Sequence, residues 1–222
     1  MTRWHEGLWS SNPALAQLLG LCPLLAVSTT LVSGAVLGAA TLLCMTFSCL
    51  AVASVKRWIP NDARLPAFVI VIATMVTLVD LSLMTFAYAL HQTIGLFIPL
   101  IVTNCAVLAR VETAAYRRPV LEATRDGLAM GAGFAWVLIV LGGLREMLGR
   151  ATLFSDWHVL AGGAPLTWQL PWFQADGSGL LLALLPPGAF FGLALLLVIW
   201  RWLSWRGAAD PAARSQTQAI ER

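Results

Sequence analysis

Charge is what this 222-residue chain has least of. Asp, Glu, Lys and Arg make up 11% of it and hydrophobic residues 59%, whereas soluble domains carry about 25% charged residues. That balance excludes a water-soluble fold. Histidine is scarce too: His5, His91 and His158 all fall near or between the ends of apolar runs, which argues against a haem held by two histidines. No glycine-rich phosphate loop follows a strand, so nucleotide chemistry is not expected on this chain, and no nucleic-acid partner is expected. The four cysteines, Cys22, Cys44, Cys49 and Cys105, lie in apolar runs rather than exported loops. A secreted disulfide framework is therefore not expected.

What the chain does have is apolar runs. About 20 apolar residues cross a bilayer core, and six such runs are read at about 14–32, 35–55, 65–90, 94–109, 127–148 and 180–203. The expected fold is an all-α integral membrane domain over 1–203, with a polar tail at 204–222. The first run is long for a signal peptide and has no clear cleavage site, so it is read as a retained span. Gly34 and His91-Gln92 are read as short turns, 110–126 as a charged loop and 149–179 as the longest loop. Pro186-Pro187-Gly188 is expected to interrupt the sixth span. Gly34 and Gly38, and Gly127, Gly131 and Gly133, sit at spacings that let helices pack closely. With the amino terminus inside, twelve lysines and arginines fall on the inner side and only Arg145 and Arg150 on the outer. This asymmetry predicts that both termini are cytoplasmic.

Two stretches repeat a theme: Gly20-Leu21-Cys22-Pro23 and Ile98-Pro99-Leu100-Ile101-Val102-Thr103-Asn104-Cys105. Each sets one cysteine and one proline in an apolar run. Pro23 and Pro99 lack the N–H that would bond four residues back, so spans one and four are expected to be broken half-helices. At 1.5 Å per residue, Cys22 lies roughly 12 Å and Cys105 roughly 14 Å from the inner face. Two thiols at similar depth on oppositely directed segments imply two inverted three-helix repeats, about 14–90 and 94–203, with a site where they meet. A thiolate in hydrocarbon is costly unless paired or metal-bound. Two thiols are half of the four that an iron–sulfur cluster takes, so a cluster here needs ligands from another chain.

These two cysteine motifs, together with Leu144-Arg145-Glu146 and Leu184-Leu185-Pro186-Pro187-Gly188-Ala189-Phe190, resemble the RnfE/RsxE subunits of ion-translocating ferredoxin:NAD oxidoreductases, in the NqrDE/RnfAE family. The likeness covers about residues 7–203. It implies a multi-pass subunit of the bacterial inner membrane that carries electrons through a [2Fe-2S] cluster and couples them to Na+ or H+ translocation. It also implies that the cluster is shared with an inverted RnfA-like homologue, alongside RnfB-, RnfC-, RnfD- and RnfG-like partners. Carried over by motif, the ligands on this chain are Cys22 and Cys105. The threonine motif for covalent flavin in related complexes is absent, so NAD and ferredoxin chemistry is expected on other subunits.

Other polar residues at depth carry narrower expectations. Asp80 is a candidate for an ion path, or a protonated acid bonded to Thr77 or a neighbouring helix. Thr103 and Asn104 flank Cys105 and could donate hydrogen bonds to cluster sulfurs, or could join helices instead. Cys44 and Cys49, some 140° apart on a helix, are read as packing thiols. Arg145-Glu146 is read as an interfacial ion pair, and Glu112 and Glu122 as solvated loop residues. The alternative readings are a secondary transporter, because broken helices in inverted repeats also frame solute sites, and a purely structural subunit.

Overall fold

A computed structural model describes residues 12–60, 63–86, 88–150, 152–153, 168–169 and 185–208. The helices are α1 (Leu21–Val27), α2 (Leu31–Val55), α3 (Arg64–Phe86), α4 (Tyr88–Ile94), α5 (Cys105–Arg110), α6 (Val120–Arg150) and α7 (Pro186–Ala208). A 3-10 turn, Lys56–Trp58, follows α2. A 3-10 segment, Gly95–Ile101, precedes α5, and a π turn, Val111–Ala115, follows it. Thr152–Leu153 (β1) pairs antiparallel with Trp168–Gln169 (β2), a small ribbon the sequence reading did not anticipate. The rest of the 149–179 stretch and the tail beyond Ala208 lie outside the described residues.

The spine is α2 against α6, the most extensive helix pair. The two helices run antiparallel, and small residues bring backbone onto backbone along their length. A Cβ on Gly34 would stand 2.7 Å from the Leu138 carbonyl oxygen, and one on Gly142 would stand 2.6 Å from that of Thr30. Gly38 faces Ala135, Gly131 faces Leu42, and Gly127 lies against Cys49. With no hydrophobic effect between lipid-immersed helices, such close van der Waals contact is the main cohesive force. The packing role expected of Gly34, Gly38, Gly127 and Gly131 is observed. Cys44 and Cys49 are fully buried in the adjoining apolar core.

Among the described residues, five helical stretches are long and apolar enough to cross a membrane: Leu31–Trp58, Arg64–Thr85, Gly95–Ala115, Val120–Gly149 and Pro186–Trp205. The apolar window of α6 is 61% buried, but those of α3 and α7 are 17% buried. Outward residues such as Ile70, Leu78, Phe191 and Val198 are apolar. A central spine with apolar-faced outer helices is the arrangement of a multi-pass membrane protein.

Several boundaries differ from the sequence reading, each for a local reason. Residues 14–32 form turns and the seven-residue α1, not one long helix. Gly34 lies inside α2, because Thr30 caps that helix earlier: its Oγ1 accepts from Ser33 N at 3.2 Å. His91-Gln92 belongs to α4 rather than to a turn. The 110–126 stretch is mostly helical, so Glu112 lies in the π turn and Glu122 in the first turn of α6. Glu112 stands 3.8 Å from the Arg64 guanidinium. Pro186-Pro187 opens α7, as befits residues without an N–H at a helix start; residues 180–184 of the expected sixth span lie outside the described residues. Residues 204–208 complete α7 and are not tail.

Candidate functional site

The site forms where the chain breaks twice. Asn12 sets the first approach. Its Oδ1 accepts from Ala14 N at 3.0 Å and its Nδ2 donates to Gly133 O at 3.0 Å, fixing the entering chain to α6. The backbone then passes through two left-handed residues, Leu18 (φ 53°) and Gly20 (φ 77°). The left-handed region is uncommon for a residue such as leucine and natural for glycine. Gly20 is needed for space as well: a Cβ there would stand 2.7 Å from the Phe134 ring and 2.8 Å from Asn104 Oδ1. α1 starts directly after it, with Cys22 and Pro23 in its first turn. Helices leave their first N–H groups unbonded. Pro23 therefore breaks nothing there and favours the start, which refines the role expected of it.

The second break is built differently. Pro99 lies in the 3-10 segment, and Val102 N and Asn104 N close turns onto Pro99 O and Ile101 O. Asn104 is extended (φ −68°, ψ 111°) and caps α5, its Oδ1 accepting from Ala106 N at 3.0 Å. Cys105 is the first residue of α5. A buried capping side chain of this kind stabilises by about 1 kcal/mol.

The two breaks meet. Gly20 N donates to Cys105 Sγ at 3.1 Å across 85 residues of sequence. This bond brings the Cys105 sulfur to the residue that opens α1, two positions before Cys22. Cys22 and Cys105 are exposed, unlike Cys44 and Cys49. Asn104 is 1% exposed and its Nδ2 has no hydrogen-bond partner among the described residues. Thr103 is exposed, and its hydroxyl donates to Leu100 O at 3.3 Å. Among the described residues no group of three or more His, Cys, Asp or Glu side chains is arranged to hold a metal ion.

Arg145 and Glu146 secure the far end of α1, and here the sequence reading is corrected. They are 2% and 0% exposed, not an interfacial pair. The Arg145 Nη1 donates to Ser28 O at 3.0 Å and Ser28 Oγ at 2.9 Å, and Nη2 donates to Leu185 O at 3.3 Å. Ser28 Oγ in turn donates to Leu24 O. Glu146 Oε2 accepts from Leu31 N at 2.9 Å, supplying an acceptor for a first-turn N–H of α2.

Asp80 is held by a residue the sequence reading left near a span end. Its Oδ1 lies 3.0 Å from His91 Nε2, joining α3 to α4, while Thr77 donates to Ala73 O instead. A charged knot on α6 was missed altogether. Buried Asp126 lies 3.5 Å from the Arg110 guanidinium and 3.3 Å from that of Arg118, and Lys56 Nζ donates to Arg118 O at 2.6 Å. Only the density of charge in 110–126 hinted at it.

These features define a polytopic α-helical membrane protein with an exposed cysteine at each of two helix breaks. The family model described as "Rnf-Nqr subunit, membrane protein" matches residues 1–197, and the chain belongs to that family. Relatives named as the E subunit of an ion-translocating oxidoreductase complex are similar over most of its length. The one from Pseudoalteromonas atlantica is 45% identical over 217 residues, covering 98% of this chain and 93% of its own. That of Pseudomonas aeruginosa is 50% identical over 195 residues, covering 88% and 82%. That of Vibrio cholerae is 46% identical over 217 residues, covering 98% and 94%.

Proposed function

We propose that this chain is a subunit of a redox-driven ion pump of the inner membrane. In this reading it supplies Cys22 and Cys105 to a [2Fe-2S] cluster completed by two cysteines of a homologous membrane subunit. The observation that carries the reading is the bond from Gly20 N to Cys105 Sγ. It joins the two cysteine motifs, and both cysteines are exposed. The donor set fits a shared cluster: two thiols are half of four, and the backbone N–H of Gly20 already meets one sulfur. When bound, such a cluster supplies one-electron transfer.

The chain's own residues do the holding. Gly20 and Asn104 set the two breaks, Phe134 closes in behind Gly20, and Arg145 fastens the end of α1. The antiparallel α2 and α6, each following a short cysteine-bearing helix, support two inverted repeats. In this reading 14–32 completes a six-crossing topology with cytoplasmic termini. Electrons pass between ferredoxin and NAD on RnfB-, RnfC-, RnfD- and RnfG-like partners, coupled to Na+ or H+ movement. Asp80 stands as the candidate acid of an ion path.

The test is iron and acid-labile sulfide on this chain co-purified with its homologous membrane partner. Cys22→Ser and Cys105→Ser should each abolish both. Full iron in the double variant refutes the reading. The broken helices also suit a solute transporter, which predicts uptake by the single reconstituted chain and mild effects of Cys→Ser.

A further inference from the structure

The cysteines are not the only groups gathered at the two breaks. Gly20 N–H is spent on Cys105 Sγ at 3.1 Å. The Asn104 carboxamide lies against the same glycine, its oxygen 2.8 Å from where a Cβ of Gly20 would stand. That oxygen is engaged by Ala106 N. The other half of the amide, Nδ2, is buried and has no hydrogen-bond partner among the described residues. A buried amide N–H left unmade costs about 1–3 kcal/mol. A cap alone does not explain that cost, because serine or aspartate caps a helix as well without leaving amide donors unbonded.

We infer that Gly20 and Asn104 form a paired donor bracket that sets the electron affinity of the sulfur centre. The inference rests on the proposed function and adds residue roles to it. Gly20 N–H fixes the Cys105 sulfur relative to α1. The Asn104 amide N–H is the second donor, directed to the sulfur centre when the partner subunit completes it. Both are positioning residues. N–H donors to cluster sulfurs stabilise the more negative, reduced form and so raise the reduction potential. Thr103 has no part in the bracket, because its hydroxyl already donates to Leu100 O.

The experiment is a redox titration of the intact complex, followed by electron paramagnetic resonance, with iron and sulfide assayed on the same samples. Asn104→Ser keeps an oxygen for Ala106 N and removes the amide donor. It should retain wild-type iron and shift the reduction equilibrium about tenfold toward the oxidised form, ~59 mV for one electron. Asn104→Asp keeps the cap geometry and should shift at least as far. Gly20→Ala, strained by its φ and by contact with Phe134, should lose iron and is not the deciding variant. Wild-type potentials in both Asn104 variants at full iron overturn the inference and leave the proposed function standing. Loss of iron from both variants alike also overturns it, because Asn104 then serves the fold alone. A wild-type complex without iron refutes the proposed function, and this inference falls with it.

Discussion

Arg145 and Ser28 meet in the buried interior although 117 residues separate them: the guanidinium bonds both the carbonyl and the hydroxyl of the serine. A second arm of the same side chain reaches Leu185 O, so one residue joins the end of α1 to the start of α7. Hydrogen bonds to charged groups contribute roughly 1.5–3 kcal/mol each. Arg145→Met leaves several buried acceptors unbonded and should destabilise by more than one such bond. Arg145→Lys cannot reproduce the planar fork and should recover only part. Thermal unfolding of the purified complex in detergent, with the level of assembled subunit, checks both. An Arg145→Met variant of wild-type stability would show that these bonds contribute nothing net.

The α2–α6 spine predicts a sharp contrast between neighbouring glycines. A Cβ on Gly142 meets a backbone oxygen at 2.6 Å, whereas one on Gly143 meets the mobile tip of Leu31 at 3.3 Å. Backbone cannot step aside as a leucine methyl can. Overpacking of this kind costs about 1–3 kcal/mol. Gly142→Ala and Gly34→Ala should therefore lower the melting temperature of the complex by several degrees, with Gly143→Ala near wild type. Equal effects at 142 and 143 would contradict the backbone contact.

The four thiols should separate into two pairs by chemistry. Cys44 and Cys49 are fully buried, whereas Cys22 and Cys105 are exposed. A maleimide should label Cys22 and Cys105 on the partner-free chain in mild detergent, with little label at the other two. In the assembled complex labelling at Cys22 and Cys105 should fall. Cys44→Ala and Cys49→Ala should keep full iron, at a packing cost of about 1 kcal/mol. Loss of iron in either would assign a buried cysteine to the site.

Asp80 and His91 form a half-exposed pair, with side chains 34% and 20% accessible. Asp80→Asn keeps a side-chain oxygen able to accept from His91, so it should leave assembly intact. Ions moved per electron in reconstituted vesicles then report on the path alone. The proposed role predicts a several-fold fall. Unchanged transport removes Asp80 from the path and leaves it as a fastening between α3 and α4.

The sequence made the long helices legible, because length and hydropathy are local properties, and α2, α3 and α6 fall close to their expected ranges. It also made the two cysteine stretches legible as a pair, through glycine, proline and thiol in short order. What it hid were partners far along the chain. Nothing near Arg145 says that its acceptors are Ser28 and Leu185, so it reads as a surface charge. Nothing near Gly34 competes with a turn, until Thr30 caps the helix four residues earlier. Pro23 reads as a helix breaker although it lies in the first turn, where its missing N–H is harmless. Gly20 stood in the motif, but its left-handed backbone and its bond to Cys105 emerge only once both breaks are built.

The fastenings of the first thirty residues also bear on how this protein is made. Asn12 waits for Gly133, Gly20 for Cys105 and Ser28 for Arg145, separations of 121, 85 and 117 residues. Synthesis runs from the amino end, so the first of these bonds waits for residue 105 and the other two for residues 133 and 145. During that interval a cysteine and a bent backbone stand unsecured in the translocation machinery. Insertion must therefore be followed by a late docking of the leading segment, and ribosome stalls before and after residue 145 should trap it loose and locked respectively.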